Sequence, residues 1–358
     1  MYVPKWLNSL LVLCLITGCA GCTSLGGKKE PPKTELRVII AGSLLLPFQN
    51  LEQEFENRNP DIDILLDGHG SVQVIRAVTE LGNKADLVAV ADAQLIPLMM
   101  YPLTEPQTGK PYADWSIKFS TNRLGIAYKD ESAYASEIDA GNWHKIIARP
   151  DVSIGLPDPR IDAMGYRTLM AIQLAEGYYG DDRIFERTIG RALNPPLVIE
   201  RAGGVSVITV PDVVKSTESR VKLRSYSIQL MALLESGDLD YAFEYESVAK
   251  QRGLKFLELP VGIDLSSPEH EQIYREVQVN LDFKRFASVR PQFRGTQIVY
   301  GLTIPANALH PAEAQRFIEF LLGQDGRRIM AAAEQQLLLI PVCDNRDALP
   351  DELKTIFP

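Results

Sequence analysis

The stretch 36–60, LRVIIAGSLLLPFQNLEQEFENRNP, constrains this chain more than any other. Leu36 to Ala41 is an apolar, β-branched run that reads as a buried strand. Gly42 and Ser43 break it. Pro47 suits the first turn of a helix, where its missing N–H costs nothing. Phe48, Leu51 and Phe55 recur at i, i+3 and i+7 on one face of that helix, and Asn59-Pro60 ends it. A strand that turns through Gly-Ser into a helix aims free backbone N–H groups and a hydroxyl at one point, which favours an oxyanion. An ordinary βα turn capped by serine has the same pattern, so one unit alone decides nothing.

The pattern repeats. Residues 61–67 (DIDILLD) read as a second strand, Gly68-His69-Gly70-Ser71 as the break, and Val74, Val78 and Leu81 as one face of a second helix. Two consecutive units of this kind put two serine-led helix starts, at Ser43 and Ser71, on the same edge of a parallel sheet. Ligands bind at that edge in open α/β folds. A dinucleotide fingerprint is excluded, because Gln73 holds the third glycine position.

The start of the chain says where such a site would work. Residues 1–18 carry one lysine and then an apolar run from Trp6 to Ile16, too short to span a bilayer and the length of a signal-peptide core. Ile16-Thr17-Gly18-Cys19 resembles the lipobox of lipoprotein signals, so Cys19 is the expected lipid-bearing residue, with Cys22 as second choice. Residues 19–35, rich in Gly, Lys and Pro, read as a flexible tether. The expected location is the extracytoplasmic face of the cell membrane, held by lipid only. Of four cysteines, Cys343 alone lies in the expected folded body, so no disulfide framework exists there. The four histidines (His69, His144, His270, His310) make no ligand cluster, and each reads as a surface or loop residue.

The 358 residues exceed one ordinary domain, and 46% hydrophobic content suffices for two cores. Net charge is −9, which repels nucleic acid and acidic lipid surfaces, so an anion would have to be captured by local dipoles. Strand and helix patterns keep alternating. Residues 85–91 read as a strand with Asp92 capping the next helix, 116–129 as a long extended segment able to leave one lobe and enter another, and 168–177 as a helix. Residues 191–222 read as a hairpin-rich excursion, 225–235 as an amphipathic helix using Ile228, Met231 and Leu234, and 240–249 as strand then helix. Residues 297–304 read as a strand, 311–324 as a helix with Phe317, Phe320 and Leu321 inward, and 342–358 as a polar closing tail. The class is α/β.

Two acidic residues stand out in the second half. Asp162 sits where a helix would begin and reads either as its N-cap or as part of a site. Glu244 lies inside an aromatic run, where a charge is costly unless partnered; Arg167 and Lys250 are the obvious salt-bridge candidates. Tyr245 and Ser247 are hydrogen-bond donors or plain surface. No cluster of Lys or Arg surrounds these residues.

Several stretches together resemble the substrate-binding lipoproteins of tungstate/molybdate ABC transporters of the archaeal type: AGSLLLPF at 41–48, GSVQVIR at 70–76, KADLVAVAD at 84–92, KFSTNRLGIAY at 118–128, DAMGYR at 162–167, LLESGDLDYAFEYESVA at 233–249 and YGLTIP at 300–305. The chain departs from that pattern at Ala163-Met164 and in the length of the 191–222 excursion. The resemblance implies a two-lobed periplasmic-binding-protein fold of type II. It divides the mature chain into a first lobe of 36–117 with 297–358 and a second of 118–296, hinged near Ser120 and Gly295. It implies that Ser43, Ser71 and Tyr245 meet the oxygens of a tungstate or molybdate ion in the cleft, and that Asp162 and Glu244 bind its metal atom. It also implies a monomer that needs no cofactor and hands its cargo to an ABC permease and ATPase complex. Sulfate or phosphate is the alternative ligand. The competing class is an enzyme, with Ser43 or Ser71 as nucleophile or with Asp162 and Glu244 as a glycosidase pair. No Gly-x-Ser-x-Gly elbow supports the first of these.

Overall fold

Parallel pairing organises the first sheet. β1 (Thr34–Ala41) runs beside β2 (Ile62–His69), in register from Thr34 with Ile62 to Ala41 with His69, and beside β3 (Leu87–Val90). Between them come a short 3-10 turn, Gly42–Leu44, and the helices α1 (Leu45–Arg58) and α2 (Ser71–Thr79). Both helices therefore start at the same edge. Phe48, Leu51 and Phe55 are buried as their period predicts, and Phe317 packs edge-on to Phe55 at 5.2 Å between ring centres. Leu81 does not extend the face of α2. The helix stops at Thr79 and Leu81 is 72% exposed. The structure is a computed structural model and describes residues 32–282 and 291–357; Cys19, Cys22 and the leader 1–31 lie outside them.

The segment read as one extended run is two strands in different sheets. β4 (Ile117–Thr121) pairs in the first sheet, and β5 (Leu124–Tyr128) pairs in the second, so the chain crosses at Asn122-Arg123. The second sheet also contains β6 (Ile154–Pro157), followed by α3 (Ala163–Tyr179). Helix α3 begins five residues earlier than its apolar period suggests. Asp162 caps it, its side chain accepting from the Met164 N–H. Gly165 lets it start there: a Cβ at this position would lie 2.6 Å from the Pro157 carbonyl oxygen. Gly180, in the left-handed region at φ 66°, ends it.

The excursion carries a hairpin, β7 (Val198–Ala202) and β8 (Val205–Pro211), turning through Gly203 and Gly204, both at positive φ. The chain returns to the second sheet with β9 (Val221–Arg224), then α4 (Ser227–Ser236), β10 (Tyr241–Tyr245), α5 (Glu246–Gln251) and β11 (Lys255–Glu258). Strand order there is β9-β6-β10-β5-β11, with β6 parallel to both β9 and β10. Next, β12 (Val277–Asp282) and β13 (Gln292–Arg294) join the hairpin in a third sheet of order β13-β12-β8-β7.

The chain then crosses back. β14 (Val299–Thr303) lies between β3 and β4, and β15 (Leu337–Cys343) closes the first sheet, whose order is β15-β4-β14-β3-β1-β2. In α6 (Pro311–Leu322), Phe317 and Leu321 are buried and Phe320 half-buried. The C-terminal segment is not merely polar. Leu349, Leu353 and Phe357 are buried at a spacing of four around the short helix Asp351–Lys354, a period masked by the charged residues between them. Residues 33–358 form one compact unit. No helix among the described residues is long and apolar enough to cross a membrane.

Candidate functional site

Five strand-to-helix turns meet where the two parallel edges face each other: β1 into Ser43, β2 into α2, β6 into α3, β9 into α4 and β10 into α5. The edges are in contact. The N–H groups of Val72 and Gln73, at the head of α2, donate to the Ile161 carbonyl at 3.0 and 3.2 Å, and the Tyr226 hydroxyl donates to Gln73 Oε1 at 2.8 Å. Gly70 is required at this junction, since a Cβ there would sit 2.5 Å from the Ile161 carbonyl oxygen.

Ser71 and Tyr245 are each seated by a partner that leaves the hydroxyl proton available, and Ser43 is paired with a second hydroxyl. Ser71 Oγ accepts from the Ala91 N–H at 3.0 Å. The Tyr245 hydroxyl lies 2.6 Å from Arg167 Nη1, which can only donate. Ser43 Oγ is 3.1 Å from the Tyr300 hydroxyl, and Asn122 Nδ2 donates to that phenol oxygen at 3.1 Å. Either hydroxyl can donate in the Ser43–Tyr300 pair; when Tyr300 donates, the Ser43 proton remains for another acceptor. All three hydroxyl residues are buried.

The two carboxylates flank one backbone amide region. Asp162 Oδ1 accepts from Met164 N–H at 3.0 Å, and Oδ2 accepts from Ser227 N–H at 2.9 Å. Its local role is thus the N-cap, and it reaches across to the head of α4 as well. Glu244 Oε1 accepts from the Tyr245 N–H at 2.8 Å, whereas Oε2 is buried with no hydrogen-bond partner among the described residues. Burial pushes the Glu244 carboxyl up to about 8, and the nearby Asp162 charge adds to this; the Tyr245 amide and the Ser227 hydroxyl beside it pull the other way. Burial likewise pushes Asp162 up to about 6 against its two backbone amides. The expected salt bridges to Glu244 do not form: Arg167 faces Asp92 at 3.4 Å and Lys250 pairs with Glu246 at 3.0 Å.

Four residues here went unread in the sequence as parts of a site. Ser227 heads α4 much as Ser71 heads α2, a serine at a helix start after a short strand, so part of that signal was present. Tyr300, Asn122 and Arg167 act through other side chains, and no local pattern marks such a role. Ser247 lies at the crossing, 2.8 Å from Asn122 Nδ2 and 3.0 Å from Gln335 Oε1. His144 is a buried residue, not a surface one: its ring lies tilted against Tyr179 at 4.4 Å between centres, beside the buried Trp143. Among the described residues, no three His, Cys, Asp or Glu side chains gather to hold a metal ion.

Two sheets joined by chain crossings, with helix starts and buried polar groups facing one another between them, have the architecture of a two-lobed solute-binding protein. The chain belongs to the bacterial extracellular solute-binding protein family, whose model matches residues 36–333. A relative named molybdate/tungstate-binding protein WtpA, from Pyrococcus abyssi, is 36% identical over 355 residues, covering 97% of this chain and 96% of its own. The protein of the same name from Thermococcus kodakarensis is 35% identical over 356 residues, 97% of this chain and 94% of its own. The two-lobed fold is shared with the periplasmic molybdate-binding protein of Azotobacter vinelandii (TM-score 0.52, 14% identity, 85% of this chain and 99% of that one). It is shared equally with the sulfate-binding protein SubI of Mycobacterium tuberculosis (TM-score 0.53, 15% identity, 91% and 92%).

Proposed function

We propose that this protein is a receptor, not an enzyme, that captures tungstate or molybdate between its lobes and delivers it to an ABC permease and ATPase complex. The names of its full-length relatives support the ligand class. The observation that carries the reading is the pair Asp162 and Glu244. Two buried carboxylates beside hydroxyl and amide donors repel sulfate, whose centre keeps four oxygens, but suit a Mo(VI) or W(VI) centre that accepts further hard oxygen ligands. Glu244 Oε2 offers such a ligand with both lone pairs unused. Ser43, Ser71 and Tyr245 would meet the oxygens of the ion. The two sheets would be the cores of two lobes turning about the crossings at 122–123 and 295–298, with bound ligand favouring the closed form.

Calorimetric titration with tungstate, molybdate, sulfate and phosphate tests this. Tight binding of the first two and none of the others is expected, with Ser43→Ala weakening tungstate on the order of tenfold or more, a charge-assisted hydrogen bond, at unchanged thermal stability. Sulfate or phosphate binding as tightly as tungstate would replace the reading with a plain hydrogen-bonding oxyanion receptor.

The receptor would work as a monomer on the outer face of the membrane, tethered through lipid on Cys19. Cys19→Ser is expected to move the protein from the membrane to the soluble fraction. If the variant stays with membranes through detergent-free washing, the anchor lies elsewhere, with Cys22 the next residue to test.

A further inference from the structure

We propose that Arg167 is the positioning residue of this site: it orients ligand donors from both lobes and joins the lobes where they close. The proposal rests on the oxyanion reading above. Arg167 is buried on α3, five residues after Asp162. Its Nη1 donates to the Tyr245 hydroxyl at 2.6 Å and to the Ala91 carbonyl at 2.6 Å. Its Nη2 stands 3.4 Å from Asp92 Oδ2, and the Tyr166 hydroxyl donates to that same oxygen at 2.6 Å. Tyr245 ends β10 of the second sheet, and α3 follows β6 of that sheet. Ala91 and Asp92 follow β3 of the first. One guanidinium therefore spans the seam between the sheets.

The polarity of two donors comes from this geometry. A guanidinium has no acceptor, so the Tyr245 oxygen accepts from it and its proton points elsewhere. Ala91 is held by its carbonyl on Arg167 while its N–H donates to Ser71 Oγ, so the Ser71 proton is also left over. One donor from each lobe is thus turned outward through a single cation. The planar fork is what allows two acceptors and a carboxylate to be bracketed at once, and a lysine ammonium does not reproduce it. The buried positive charge also offsets an anion that faces two carboxylates.

Tungstate titrations of the wild type, Arg167→Lys, Tyr245→Phe and the double variant form a cycle that tests the proposal. Each single change is expected to raise Kd by about tenfold to a hundredfold. The double variant is expected to fall short of the product of the two losses by about tenfold, because Arg167 acts through Tyr245. A merely structural arginine would lower stability without this coupling. Full affinity in Arg167→Lys, or losses that multiply without coupling, overturns the proposal. Should Arg167→Lys not fold, Tyr166→Phe takes its place in the cycle, and full affinity or uncoupled losses overturn the proposal in the same way. It keeps the ring stacked at 4.3 Å on Phe293 and removes only the hydroxyl that seats Asp92. A wild type that binds neither tungstate nor molybdate overturns the oxyanion reading itself.

Discussion

Tungstate bound to this protein is expected to show six oxygen neighbours by X-ray absorption, two more than the free ion. Glu244→Ala and Asp162→Ala should each remove one of the added neighbours. The reason is electrostatic. Both carboxylates are buried, and among the described residues no cation pairs with Glu244. Left as neighbours of a dianion's oxygens they would repel it strongly at low dielectric. As ligands to the metal centre they become the attraction. Each retains lone pairs for it: Asp162 uses one on each oxygen for Met164 and Ser227, and Glu244 Oε2 has no hydrogen-bond partner among the described residues. Losing either partner of a buried charge interaction costs about 3–5 kcal/mol, so tungstate affinity should fall by about two to four orders of magnitude in each variant. A four-coordinate spectrum in the wild type sinks this mechanism.

Emptied of ligand, the protein is expected to shift from its closed toward its open form as pH rises from 5 to 8, seen as a larger radius of gyration in solution scattering. With both groups buried, as a closed form would have them, burial pushes Glu244 up to about 8 and Asp162 up to about 6 from ordinary values of 4.5 and 3.8. Both are raised, so the closed form has its full stability below the ordinary values, where both groups are protonated when exposed. It loses that stability as pH climbs through the raised ones. Each pKa unit is worth about 1.4 kcal/mol, which makes the effect of Glu244 on the order of a few kcal/mol. The charges facing Glu244 are Asp162, which adds to the effect, and Arg252, which opposes it. Glu244→Gln keeps the shape and removes the charge. The empty variant should stay equally closed at pH 5 and pH 8 while binding tungstate poorly. An empty wild type whose radius does not change with pH, or a variant that changes as much as the wild type, would refute this account. The functional consequence is that the cost of burying Asp162 and Glu244 as charged groups disfavours the closed form of an empty receptor at neutral pH. Coordination to the metal centre of the cargo would offset that cost, so a permease would meet a closed form mainly when it is loaded.

Much of this architecture was legible along the chain because it is local. The buried run 36–41, the Gly-Ser break and the Phe48–Leu51–Phe55 face specify strand, turn and helix within one stretch of residues, and the structure repeats them. The stripe Leu349, Leu353 and Phe357 was equally local, but charged residues between its members hid the period. The double role of the 116–129 segment was not legible. The residues around Ile117 and those around Leu124 carry the same extended, apolar signal. Only pairing partners distant in sequence assign Ile117–Thr121 to one sheet and Leu124–Tyr128 to the other.

The sequence by itself determined the repeated serine-led helix starts and the two acidic residues out of place at 162 and 244, and it raised the expectation of an export signal at residues 1–18. Those are statements about neighbours a few residues apart, governed by period and by the conformational preferences of Gly, Ser and Pro. Only the tertiary structure decided that Asp162 meets the head of α4 at Ser227, that Glu244 Oε2 is left without a partner, and that Arg167 ties Tyr245 to Ala91 across the seam. These depend on which buried polar group finds which partner after the chain has left the first sheet and returned to it. A buried donor or acceptor must be satisfied by whatever the fold brings within about 3 Å, and sequence separation has no bearing on that distance.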